Sequence, residues 1–306
     1  MNELVVNPLE RARALELPSR EEMLRRDPSV QQFWLVNREL LEAAWVEWES
    51  EVHDRVGTLD DSLIDSKLRA AVIAAWADPT QESAVRELWD EVASGVYEAQ
   101  FFARDRLADL RTYFDAVADA DIPLRPPYGI VLNRRGFMLD RRSEGSLGAP
   151  GFQAFYQRIL DRYMRPISRL LYPEVFGFDT QTFGFSIHYQ PTTDTSIRPH
   201  TDASSVTLNI NMNLLDETFA GSTVDFFDEP TQTTIPLSFT PGSAMIHRGH
   251  APHMAQPITA GERSNLVLWL YGDGMQIPRP GAPAPAISPQ ERWTQPNAPA
   301  DNVAPF

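Results

Sequence analysis

Cysteine is absent from the 306 residues. That excludes disulfides, thiolate metal ligands and a thiol nucleophile. Lysine occurs once, at Lys67, so nearly all the positive charge is arginine. Histidine is scarce too: with six in the chain, each position carries information. No run approaches the roughly 18 uninterrupted apolar residues of a membrane span. The opening stretch "MNELVVNPLERARALELPSREE" becomes charged too early for a secretory signal, so a cytoplasmic protein with no membrane partner is expected. The formal net charge of −15 is unevenly placed. Residues 1–123 hold 26 acids against 13 bases, and the remainder 16 against 14. An acidic surface argues against nucleic acid as a partner. Residues 125–169 stand apart, with nine arginines and three acids (Asp140, Glu144, Asp161). This segment is expected to dock against the acidic helices before it. A site for an anionic ligand is the second reading.

What is present divides into two textures. Residues 1–123 read as a helical region. Asp27-Pro28 is an N-cap with proline at the first helical position. Phe33, Trp34, Leu40, Leu41, Ala44, Trp45 and Trp48 then recur at helical spacing up to Gly57. Further helices are predicted from Asp60 to about Trp76, from Thr80 to about Phe101, and through "ARDRLADLRTYFDAVADAD". These helices are also the surface through which a homodimer could form. From 124 to 275 the texture becomes β-rich: "PYGIVLN", a glycine-containing loop, one amphipathic helix over about 152–172, then short alternating runs. "TFGFSIHYQ", "SVTLNINMN", "TVDFF", "TTIPLSF", "SAMIHR" and "SNLVLWLYG" are separated by turn residues, as in a sandwich or barrel. Residues 276–306 are a proline-rich tail, expected to be extended or disordered.

The chemistry concentrates in the β region. In "IRPHTDASSVTLNI", His200 and Asp202 stand at i and i+2, so on an extended strand their side chains point to the same side. Downstream, "PGSAMIHRGHAPHMAQPITAGERSNLVLWLYG" carries His247, His250 and His253, with Arg263 at the start of a strand. Two imidazoles and a carboxylate on one face of a metal leave three positions open, which suits non-heme Fe(II) oxygenases. Two of these suit a bidentate 2-oxo acid and the third O2. The far carboxylate of such a cosubstrate needs a buried cation, and arginine supplies a planar fork that stays charged.

His200-Thr201-Asp202, then His253, then Arg263, resemble the HxD…H…R signature of the Fe(II)- and 2-oxoglutarate-dependent dioxygenases. "HMAQPITAGER" and "FSIHYQPTTDTSIRPHTDAS" are similar to segments of the prolyl 4-hydroxylase type. "YGIVLN" and "LDRYMRPISRLLYPEVFG" extend the likeness, so it covers roughly residues 128–272. The resemblance implies an α+β protein with a double-stranded β-helix, a jelly roll, behind a helical N-terminal region. It implies Fe(II) on His200, Asp202 and His253, 2-oxoglutarate on Arg263, and O2 as oxidant. Tyr189 resembles a tyrosine bordering the cosubstrate pocket, although core packing suits it equally. Asn209 and Asn211 alternate with apolar residues and need partners if they point inward, so one is expected at 2-oxoglutarate. Arg198, Arg248 and His250 are candidates for holding a small-molecule substrate. His188 and Trp269 are expected in the core, and His247 on a neighbouring strand. Asp202, where halogenases of this superfamily leave room for halide, disfavours halogenation. One departure stands out: Ala220-Gly221-Ser222 replaces the usual Gly-Gly pair in a hairpin.

Hydroxylation of a small amino acid-like or natural-product molecule is the first expectation. A protein or peptide side-chain hydroxylase, or a non-catalytic jelly-roll binding or sensing module, are the alternatives. A helical-bundle metal oxidase is disfavoured, because His53 is the one histidine before residue 188.

Overall fold

The protein is described by a computed structural model over residues 7–127, 134–272 and 277–295. The strand expected at "PYGIVLN" lies almost wholly outside these residues. The N-terminal half opens with helices α1 (Pro8–Arg13), α2 (Arg20–Arg25) and α3 (Pro28–Val56). Proline begins α3 and Gly57, at φ +68°, ends it. A left-handed residue after the last turn breaks the helix, and glycine adopts it without steric cost. Val30, Trp34, Leu41, Ala44, Trp45 and Trp48 form its buried stripe. Helices α4 (Ser66–Ala77), α5 (Ser83–Arg86) and α6 (Leu107–Ala118) follow. Helix α4 starts later than expected, because Asp65 accepts from the Lys67 and Leu68 amides and caps it there.

One expectation is corrected. The helix predicted from Thr80 to Phe101 stops at Arg86, and a hairpin replaces its second half: β1 (Asp90–Ala93) and β2 (Val96–Gln100). Gly95, at φ +67°, makes the turn. Strand β2 pairs with the later strand β9, so residues 1–123 are not purely helical.

The β-rich half follows α7 (Pro150–Arg158), which passes through a π-helical turn (Ile159–Met164) into α8 (Arg165–Leu171). Its strands are β3 (Gln181–Tyr189), β4 (Ile197–His200), β5 (Val206–Asn211), β6 (Ala220–Gly221), β7 (Val224–Asp228) and β8 (Thr233–Leu237). Then come β9 (Ser243–Arg248), β10 (His253–Ala255), β11 (Ile258–Ala260) and β12 (Arg263–Gly272). They form antiparallel sheets in the orders β1-β2-β9-β5-β12-β3 and β4-β10-β7-β8, with β6 and β11 as a separate pair. The class is therefore α+β.

Strand β12 shows how the sequence partitions the core. Leu266, Leu268 and Leu270 join the helices in the main hydrophobic cluster, while Val267, Trp269 and Tyr271 join Phe183, Phe185, Ile187 and Tyr189 of β3. Alternate residues of a strand face opposite sides. The six-stranded sheet thus buries one face under the helices and turns the other toward the smaller sheet. At about 1.5–3 kcal/mol for each buried leucine, the helical cover is a principal source of stability. Gly184 permits its closest approach, since a β-carbon there would collide with the Tyr156 hydroxyl.

The arginines of 125–169 mostly do not reach the acidic helices. Arg158 pairs with Asp61 at 3.3 Å, whereas Arg134, Arg135, Arg142, Arg165 and Arg169 pair with acids of their own half. Nor is the tail simply extended. Helix α9 (Pro289–Arg292) docks on the N-terminal half, where Arg292 and the Trp293 indole bind Glu82, and Trp293 packs edge-on against Trp76.

Candidate active site

His200 ends β4 and His253 begins β10, and these two residues are direct partners in the antiparallel register. Strand pairing sets the two imidazoles side by side, with ring centroids 4.3 Å apart. Asp202 lies two residues past the end of β4, and its amide donates to the Gly249 carbonyl at 2.8 Å. One ligand atom from each of His200, Asp202 and His253 lies within 4.8 Å of the others. His200 Nε2 is 3.6 Å from Asp202 Oδ1, and His253 Nε2 is 4.0 Å from Oδ2.

The tautomers follow from the backbone. A carbonyl oxygen only accepts, so a ring nitrogen bonded to one must carry the proton. His200 Nδ1 meets the Arg198 carbonyl at 2.7 Å, and His253 Nδ1 meets that of Ala251 at 3.0 Å. In the neutral ring this tautomer leaves Nε2 bare, the form that binds a metal. Burial lowers the pKa of His253, which keeps its ring neutral.

A cavity of about 330 Å³ opens beside these ligands, lined by both sheets. Arg263 reaches into it from the start of β12 and is 1 % exposed. Its Nη1 donates to the Ser222 carbonyl at 2.8 Å, and its guanidinium lies over the Tyr189 ring at 4.2 Å and the Phe239 ring at 5.3 Å. Its Nε has no hydrogen-bond partner, and among the described residues no carboxylate pairs with it. Burial lowers its pKa, since desolvation disfavours the charged form. A buried cation without a counter-ion is costly, and a ligand carboxylate would relieve that cost. The chain therefore presents two imidazoles and a carboxylate for a divalent metal, and a buried guanidinium with an unpartnered Nε for an acid. These residues fit Fe(II) and 2-oxoglutarate.

The other candidates separate by position. Tyr189 and Asn209 line the cavity, and Asn209 accepts from the Asn265 amide at 2.6 Å. Asn211 does not line it; its amide is engaged by Asn213 and Asn265 at 2.9 and 3.2 Å. Arg198 is exposed and lines the cavity beside His200. Arg248 is turned away, bound to Glu174 and stacked over Tyr172, and His250 does not line the cavity. His188 bonds Ser264 and Glu262 behind Arg263.

One residue goes further than its sequence reading, and two features escape that reading. His247, 2 % exposed, lines the cavity with Nε2 3.9 Å from Asp202 Oδ2; burial lowers its pKa to about 4. Thr207 donates to Asp202 Oδ2 at 2.6 Å. Ser222, in the hairpin where a Gly-Gly pair was expected, sits at φ +55° and supplies the carbonyl that holds Arg263. His247 lies on β9, a neighbouring strand as expected, whereas nothing local marked the other two. A larger cleft of about 670 Å³ lies between α3 and residues 141–157, remote from every histidine of the β region.

No protein-family model matches the chain. It is 24% identical over 261 residues to the 2-oxoglutarate and iron-dependent oxygenase domain-containing protein ICU11 of Arabidopsis thaliana, covering 82% of this chain. It is 28% identical over 235 residues to 2-oxoglutarate and iron-dependent oxygenase domain-containing protein 2 of Danio rerio, covering 72%. The chain is therefore similar to 2-oxoglutarate- and iron-dependent oxygenases. The aligned part spans 62% of the length of each of these relatives. Among solved structures, a Pseudomonas putida prolyl-4-hydroxylase aligns with a TM-score of 0.43 and 18% identity, over 68% of this chain and all of that one. No helix among the described residues is long and apolar enough to cross a membrane.

Proposed function

We propose that His200, Asp202 and His253 hold Fe(II), that Arg263 binds the distal carboxylate of 2-oxoglutarate, and that the protein hydroxylates an unactivated C–H of a small substrate. The observation that carries this reading is Arg263: a cation 1 % exposed, unpaired with any described carboxylate, in the cavity that also holds the three metal ligands. The sheet order supports a double-stranded β-helix. From β3 to β12 the chain alternates between the β9-β5-β12-β3 portion of one sheet and β4-β10-β7-β8 of the other, with β7 and β8 consecutive in the latter.

Iron and the cosubstrate, when bound, would supply the oxidation: 2-oxoglutarate loses CO2 to become succinate with one atom of O2, and the other atom enters the substrate as hydroxyl. The chain's own groups position. The two Nδ1–H···O=C bonds fix the imidazoles, and Tyr189 and Phe239 keep the Arg263 fork flat and dry. Phe185, Ile187, Val267 and Trp269 give the cavity apolar walls that exclude water.

Charge narrows the substrate class. The dication, the dianionic cosubstrate, Asp202 and Arg263 sum to zero, which leaves Arg198 as the remaining charge among the lining residues. A substrate bearing a carboxylate, as an amino acid-like molecule does, would find its counter-ion there. The test is an anaerobic titration of the Fe(II)-loaded protein with 2-oxoglutarate, followed by a screen of small carboxylic acids read as succinate formation and mass gain of one oxygen. Absence of 2-oxoglutarate binding to the iron-loaded protein would refute the reading.

A further inference from the structure

Asp202 has two oxygens, and they are not equivalent. Oδ1 is the one nearer His200, at 3.6 Å from Nε2. Oδ2 accepts the Thr207 hydroxyl at 2.6 Å. Thr207 Oγ1 in turn lies 2.9 Å from Ser204 Oγ. Thr207 has one hydroxyl proton, and a carboxylate can only accept, so that proton points to Asp202. Ser204 must then be the donor to Thr207. Both hydroxyl residues are 1–2 % exposed or less, so water does not compete for these bonds. The relay is also rigid at its origin. The Asp202 amide binds the Gly249 carbonyl at 2.8 Å, and the Gly249 amide binds the Ser205 carbonyl at 3.2 Å. Gly249 lies so close to Ser204 that a β-carbon would overlap the Ser204 carbonyl oxygen.

We propose that Thr207, oriented by Ser204, is a positioning residue that makes Asp202 a one-oxygen ligand. The inference rests on the iron reading above. A carboxylate free to rock can bind a divalent ion through both oxygens. Oδ2 also lies 4.0 Å from His253 Nε2, but it already accepts the Thr207 hydroxyl, which leaves Oδ1 as the unengaged donor beside His200. The consequence is functional. Three protein atoms on an octahedral ion leave three positions, enough for a bidentate 2-oxo acid and O2, whereas four leave two. Thr207 thus keeps the third position open.

The test uses Mn(II) alone as probe, with the full chain as wild type, Thr207→Val and Thr207→Ser. Valine matches threonine in shape and removes the hydroxyl; serine restores it. Mn(II) affinity is measured by titration, and bound water by the relaxation of solvent protons. We expect Thr207→Val to weaken Mn(II) roughly 10- to 100-fold, the range for lost partners of metal ligands. Its saturated complex should lose roughly a third of the inner-sphere water contribution, as one of three positions closes. Thr207→Ser should recover both. A merely structural role would lower the melting temperature of Thr207→Val while the relaxation of the saturated complex matched wild type, and that result overturns the proposal. Wild-type protein that fails to bind Mn(II) would instead overturn the iron reading and this inference with it. Wild type that binds, with an unchanged Thr207→Val, removes Thr207 alone.

Discussion

Replacing Arg263 by methionine should separate two quantities that usually fall together, stability and ligand binding. Arg263 contributes one charged hydrogen bond, to the Ser222 carbonyl at 2.8 Å, and two ring contacts, to Tyr189 and Phe239. Losing the bond costs about 1.5–3 kcal/mol, and the desolvated ring contacts add about 2 kcal/mol. Against this, removing a buried cation recovers several kcal/mol of desolvation. The two sides nearly cancel, so the metal-loaded variant without cosubstrate should unfold within roughly 2 kcal/mol of wild type. Binding behaves differently. Truncating one partner of a buried charge pair costs about 3–5 kcal/mol. At about 1.4 kcal/mol per decade, the 2-oxoglutarate dissociation constant should rise at least about a hundredfold while iron affinity stays near normal. Arg263→Lys should fall between, since an ammonium keeps the charge but lacks the fork. Anaerobic titration measures this directly. Thermal melts give a second reading: ligand at about 100 times its dissociation constant stabilises wild type by about 2.7 kcal/mol, and that gain should vanish in Arg263→Met. A dissociation constant within twofold of wild type would remove Arg263 from the site.

The metal ligands can be told from their neighbours by alanine substitution and measurement of bound iron. Asp202→Ala and His253→Ala should lose it, while His247→Ala and His250→Ala should retain it; the reverse pattern between His250 and His253 would transfer the ligand role. Gly249→Ala should strain the turn that carries Asp202, because its new methyl meets the Ser204 backbone rather than a side chain that can rotate away. Overpacking of this kind costs about 1–3 kcal/mol, so a clearly lowered melting temperature is expected, and an unchanged one would show that the turn yields.

What the sequence made legible depended on how local the signal was. Helix α3 was readable from end to end, because Pro28, the aromatic stripe and Gly57 all sit within its own residues. The long strands β3, β5, β9 and β12 announced themselves by alternation. The hairpin β1–β2 did not. Its "DEVASGVYEAQ" is flanked by helical composition, and only pairing with β9 makes it a strand. Tertiary context overrides weak propensity of that kind. The docked tail was illegible for a similar reason: Trp293 and Arg292 find Trp76 and Glu82 more than 200 residues away in sequence.

The site divides along the same line, and the division explains which residues were missed. His200 and Asp202 are neighbours in sequence, so their convergence needs only the end of β4 and the turn held by the Gly249 carbonyl. His253 needed one further step, the register that pairs it with His200. Thr207 and His247 needed two. They are partners across β5 and β9, a pairing fixed only once both strands are placed, and that pair then has to fall beneath the turn carrying Asp202. Ser222 is more distant still, since its carbonyl meets Arg263 because the hairpin turns left-handed there. The Ala-Gly-Ser departure reaches beyond its hairpin, since its third residue is the one holding the guanidinium. A change in loop sequence thus bears on the Arg263 end of the cavity. His200, Asp202 and His253, whose ligand atoms lie within 4.8 Å of one another, were legible from spacing, whereas Thr207 was set by cross-strand register, which single-sequence spacing does not record.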